Sequence, residues 1–145
     1  MPTKVKSFVL AATLTILLTM RPASAGIADL LGDWRNTDPA TRDIVRILIS
    51  ENEGSIEIHV WGACHPNPCD WGSAKALAYA PSVSAGLPED AAYLLADFPT
   101  RFAITQVIVG PTPTDGPLQA LKLTRFTDGS RRSDYATASL FTKSP

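Results

Sequence analysis

Cysteine and histidine are scarce in this 145-residue chain, with two of each. Zinc sites draw about four ligands chiefly from those residue types, and no second cysteine pair exists to complete one. Neither sign of charge dominates, with 13 Lys and Arg against 14 Asp and Glu. Phosphate-loop and calcium-loop patterns are missing. Low-complexity runs and linkers are missing too, so the length holds one domain plus at most a targeting segment. After residue 25 no apolar run approaches the roughly 20 residues that span a bilayer.

The start of the chain supplies a targeting segment. Lys4 and Lys6 precede an apolar run from Phe8 to Met20, and Ala23-Ser24-Ala25 follows as a small-x-small cleavage site. A basic start, a short apolar run and such a site make a secretory signal. The expected mature protein runs from Gly26 to Pro145 and is secreted or periplasmic, with no membrane insertion after cleavage. Lys4, Lys6 and Arg21 leave with the leader, so the balance becomes 10 basic against 14 acidic residues. That argues against a nucleic-acid partner, which requires clustered basic charge.

The remainder reads as all-β. Apolar and β-branched runs recur with turn residues between them: 32–37, 43–50, 55–63, 70–79, 87–96, 102–109, 118–126 and 133–141. Ser55 to Ala63 alternates, with Ile56, Ile58 and Val60 on one face and Glu57, His59 and Trp61 on the other. In the fourth run Gly72, Ala74, Ala76 and Ala78 share a face opposite Trp71, Ser73 and Lys75. The segment from Leu87 to Ala96 carries both helix and strand signals, and strand fits its neighbours. Eight sequential strands with short connections predict an eight-stranded antiparallel up-and-down barrel, with a two-sheet sandwich as the alternative.

In such a meander the loops sort into two ends. One end gathers the loops 36–42, 64–70, 98–101 and 127–132. These hold both cysteines, His65, Asp70 and Asp128, and Arg42, Arg101, Arg131 and Arg132. The other end is largely Pro, Gly, Ser and Glu. Binding chemistry concentrates in loops at one mouth, so the first end is the candidate working end.

The strongest local signal is Trp61-Gly62-Ala63-Cys64-His65-Pro66-Asn67-Pro68-Cys69-Asp70-Trp71-Gly72. Two cysteines five apart in an exported chain predict a disulfide that fixes the shape of this turn. The competing metal reading would use Cys64, His65 and Cys69 with His59 or Asp70, but oxidation removes the thiolates. No metal or other cofactor is expected. Trp61 and Trp71 lie symmetrically about the pair, as neighbours across a hairpin. They form either an aromatic platform for a ligand or a packing lid over the barrel end.

Gly32-Asp33-Trp34 at the head of the first strand resembles the G-x-W signature of calycin barrels, the lipocalins and avidins. In lipocalins that Trp lies under a basic residue of the last strand, for which Lys143 is the candidate here. The avidin polar ligand set does not map onto these strands. The mature chain also resembles a group of small exported bacterial proteins without an established activity. Its matching residues are Gly32-x-Trp34-x-Asn36-x-Asp38-Pro39, the Trp61 to Gly72 segment, and Phe126-Thr127-Asp128-x-Ser130-x-Arg132-x-x-Tyr135. That resemblance implies fold and export and carries no catalytic residues.

The expected function is a disulfide-stapled binding module that takes a small molecule at the Cys-loop end. Its candidate contacts are Trp61, His65, Asp70, Trp71, Arg42, Arg101, Asp128, Arg131 and Arg132. The alternative is a protein-interaction or inhibitor-type module that uses the stiff Cys loop as a wedge. A hydrolase built on Asp70, His65 and a nearby hydroxyl would need His65 to approach one of them, and the chain is read as no enzyme.

Overall fold

A computed structural model describes residues 26–113 and 116–145; the leader expected over 1–25 lies outside them. A short helix, α1 (Ile27–Leu30), precedes nine strands: β1 (Gly32–Asn36), β2 (Ile44–Asn52), β3 (Ser55–Gly62), β4 (Cys69–Lys75) and β5 (Leu77–Tyr79), then β6 (Tyr93–Pro99), β7 (Ala103–Pro111), β8 (Leu118–Phe126) and β9 (Tyr135–Lys143). They form one antiparallel sheet in the order β4-β3-β2-β1-β9-β8-β7-β6-β5. Only the β1–β9 neighbours are far apart in sequence, and their ladder from Trp34↔Lys143 to Asn36↔Phe141 joins the first strand of the described residues to the last.

The strand count is nine rather than eight because the fourth run divides at Ala76. The Ala76 N–H donates to the Ile56 carbonyl, 2.8 Å away. Before that point the run pairs with β3, and after it with β6. One continuous stretch of chain therefore bridges the two edges of the sheet and rolls it into a nearly closed barrel. Away from the cysteines β5 carries the ladder to β6. At the Cys-loop end β4 lies beside β6 with no ladder between them. The fifth run forms a strand, as expected, but only from Tyr93; residues 88–92 before it are turn and coil.

Alternation decides what fills the barrel. Ile56, Ile58 and Val60 of β3 are buried, as are Ile47 and Ile49 of β2, Leu94 of β6, Val107 and Val109 of β7, and Phe141 of β9. Leu30 of α1 joins this core, and its carbonyl accepts the Trp34 indole N–H at 2.9 Å. Lys143 Nζ stands 5.4 Å from the Trp34 ring centroid. The hairpin at Glu53-Gly54 has positive φ at both residues, as a primed turn requires.

Toward the Cys-loop end the interior changes character. Lys122 and Thr124 of β8 are buried polar residues. Lys122 Nζ donates to Asp43 Oδ1 at 2.5 Å, and the Thr137 hydroxyl donates to the other oxygen of Asp43 at 2.5 Å. Thr105 and Thr124 share a hydrogen bond of 3.2 Å. Among the described residues, no fully buried side-chain nitrogen or oxygen lacks a partner, as burial of polar groups demands. The barrel thus has an apolar floor and a polar upper interior.

Candidate functional site

The open stretch between β4 and β6 leads into a groove of about 690 Å³. One wall is Trp71, Ser73 and Ala74 of β4, and the facing wall is Phe98, Pro99 and Thr100 around the end of β6. The inner surface is Thr105, Lys122 and Thr124. The rim is aromatic and cationic, with Phe102, Phe126, Tyr135 and Arg132. Aromatic surface beside a few polar groups is the usual make-up of a small-molecule site.

Trp71 enters this wall through a bulge. The β3–β4 register steps from Val60↔Gly72 to Trp61↔Asp70, which leaves Trp71 as the extra residue. Gly72 carries the positive φ of +82° that such a kink uses. The extra residue takes Trp71 off the face expected for it, while Ser73 and Lys75 stay exposed opposite Ala74 and Ala76 as expected. Trp71 turns inward, joins the edge of the core and meets Phe98 edge-to-face at 6.0 Å. Gly62 makes room for it, since a Cβ there would lie 2.7 Å from Trp71 Nε1. The two tryptophans are therefore not a pair, because the sheet separates them.

Trp61 stays on the outer face, where its ring stacks on His59 at 3.9 Å and 8°. The Arg46 guanidinium covers Trp61 at 4.2 Å and forms a two-point ion pair with Asp33. This hydrogen bond from Arg46 holds the Asp33 carboxyl below its ordinary range. The far side of the ladder ends on Asp70. Its Oδ1 accepts from the Gly72 N–H at 2.7 Å and lies 2.6 Å from His59 Nε2. The Gly72 N–H and then His59 depress the Asp70 carboxyl.

Arg132 is held over the groove. Its guanidinium lies 3.9 Å from the Phe126 ring centroid and 5.3 Å from that of Phe102. It also pairs with Asp128 at 2.5 Å. Ser130 and then Arg132 lower the Asp128 carboxyl from its usual value.

The structure brings Asp70, Trp71 and Arg132 together at the groove, with Asp128 behind Arg132. Arg42, Arg101 and Arg131 are exposed on the loops of the same end and do not line it. His65 is exposed on the Cys64–Cys69 loop, and the Asp70 carboxylate goes to His59 instead. The disulfide joins Cys64 to Cys69 with Cα atoms 5.4 Å apart, and no free cysteine remains among the described residues. No group of three His, Cys, Asp or Glu side chains among the described residues converges on a metal position.

Several wall residues were not among the candidate contacts read from the sequence: Phe98, Phe102, Phe126, Tyr135, Lys122 and Thr124. Strict alternation along β8 contained the signal for Lys122 and Thr124, because Leu118 and Ala120 share their face. Nothing local marked Phe98 as a neighbour of Trp71, which depends on barrel closure. Comparison of the chain with protein-family models, curated proteins and solved structures finds no match.

Proposed function

We propose that this protein is an exported binding module whose small-molecule ligand enters the groove between β4 and β6. The observation that carries the reading is the local failure of the barrel to close. Along β4 there is no ladder to β6, and in that opening aromatic rings and buried polar side chains face one cavity. The aromatic walls suit an apolar or ring-bearing ligand body. Arg132 and the threonine hydroxyls supply hydrogen bonds that fix orientation. Export through the amino-terminal leader and a calycin-type ancestry, suggested by Gly32-x-Trp34 under Lys143, belong to the same proposal.

The test is native mass spectrometry of the protein purified from its exported fraction. The expected result is a chain from Gly26 with one disulfide and an excess mass released by denaturation. Trp71→Ala and Arg132→Ala should each lose that mass while retaining the β-sheet circular dichroism signal. A bare oxidised chain in repeated preparations would overturn the small-molecule reading.

A further inference from the structure

The outer face of β3 and β4 carries a connected chain of three side chains. Ser73 Oγ lies 3.0 Å from His59 Nδ1, and His59 Nε2 lies 2.6 Å from Asp70 Oδ1. We propose that Ser73 is an activated nucleophile for acyl transfer from a carboxylic ester, with His59 as its base and Asp70 as the positioning residue.

The hydrogen-bond logic sets the direction of the chain. An ionised carboxylate only accepts, so the His59 proton sits on Nε2 and is donated to Asp70. In the neutral imidazole Nδ1 is then a lone pair, and the Ser73 hydroxyl donates to it. A hydroxyl donating to an imidazole, itself oriented by a carboxylate, is the arrangement that activates serine nucleophiles.

The imidazole is held from several sides. His59 and Ser73 are direct cross-strand partners. Trp61 stacks flat on the ring, and the Gly72 N–H fixes the carboxylate oxygen that the ring meets. The hydroxyl is also accessible, since Ser73 is exposed and borders the groove beside Trp71 and Phe98. An ester whose apolar part lies in the groove would present its carbonyl at the β4 edge.

The chemistry balances without a cofactor. Ser73 Oγ bonds to the acyl carbon while its proton passes to Nδ1. The bond from that carbon to the alkoxide breaks, and the alkoxide leaves with the proton. Water then attacks the acyl-serine, giving a proton to Nδ1, which returns it to Ser73 Oγ as the carboxylic acid departs. This inference uses the groove of the proposed function only to seat the ester. Labelling of Ser73 reads it separately from any co-purified mass.

The experiment treats the oxidised protein with an alkyl fluorophosphonate and follows intact mass, then maps the peptide. The expected result is one adduct on Ser73, absent from Ser73→Ala, from His59→Asn and from heat-unfolded protein. Turnover of p-nitrophenyl butyrate should fall at least about 100-fold in Ser73→Ala. Asp70→Asn should lower kcat about tenfold or more with KM held, which a loss of groove shape would not do. Near-UV circular dichroism equal to wild type establishes that each variant is folded. No adduct on the wild type at millimolar probe, or an adduct that persists in Ser73→Ala, would overturn the proposal.

Discussion

Lys122 Nζ of β8 meets Asp43 Oδ1 across the barrel interior, although the two residues are 79 apart in sequence and Asp43 lies just before β2, which is no neighbour of β8. Both side chains are largely buried, at 10% and 18% exposure. Desolvation of two charges roughly offsets their attraction, so such a pair adds little net stability. Removing one partner is different, because the other charge is left buried.

The asymmetry predicts the outcome of a double-mutant cycle. Lys122→Met should cost about 3 kcal/mol, since Thr137 alone then serves the Asp43 carboxylate. The double variant Lys122→Met with Asp43→Asn should recover most of that loss. Urea unfolding of the four proteins measures both values. A double variant no more stable than Lys122→Met would show that the lysine stem, rather than its charge, supports the upper barrel.

Trp71 and Gly62 yield a second prediction through close approach. A Cβ at position 62 would lie 2.7 Å from Trp71 Nε1 and 3.1 Å from two further ring atoms. A rigid indole in a packed wall cannot move aside without disturbing its edge contact with Phe98. Gly62→Ala should therefore destabilise by about 1–3 kcal/mol and displace the Trp71 ring toward solvent. Tryptophan fluorescence should shift to longer wavelength, and the change should vanish in a Trp71→Phe background.

These two sites also mark the limit of what the sequence made legible. Period-two alternation in β3 and the turn at Glu53-Gly54 were readable, because both are local. The sorting of loops to two ends followed from the meander alone. On β8 local hydropathy points the wrong way. Leu121 and Leu123 lie on the outer face while Lys122 is buried, because Asp43, in the bend before β2, supplies its partner. Strict alternation puts Trp71 on the same face as Ser73 and Lys75, since a bulge exists only relative to a paired strand. The division at Ala76 was invisible for the same reason. His59 and Ser73 are 14 residues apart and meet only through the β3–β4 register.

Acid should weaken the fold through the outer-face carboxylates. The Arg46 hydrogen bond lowers the folded-state value of Asp33, which lies above it when unfolded, at about 3.9. The stabilisation is therefore fully present above that unfolded value and is lost as pH falls through the lower folded one. Asp70 and Asp128 are depressed as well and act in the same direction. The thermal midpoint should stay level down to about pH 5 and fall below about pH 4. Asp33→Asn should cost about 0.5–1 kcal/mol at neutral pH and make the acid limb shallower. An unchanged limb in that variant would assign the acid loss to the other carboxylates.

The disulfide should matter more to the groove than to the fold. Cys64 and Cys69 enclose a short exposed loop at the mouth, and neither belongs to the buried core. Closing so small a ring restrains the unfolded chain by only about 2 kcal/mol. Its local effect is stronger, because β4 begins at Cys69 and the Trp71 bulge follows two residues later. Cys64→Ser with Cys69→Ser should keep the β-sheet circular dichroism signal and lower stability by about that amount. Release of the co-purified mass should occur at lower denaturant than unfolding in this variant, whereas in the oxidised protein the two should coincide. A stability loss above about 4 kcal/mol would instead make the loop the clamp for the whole β3–β4 register.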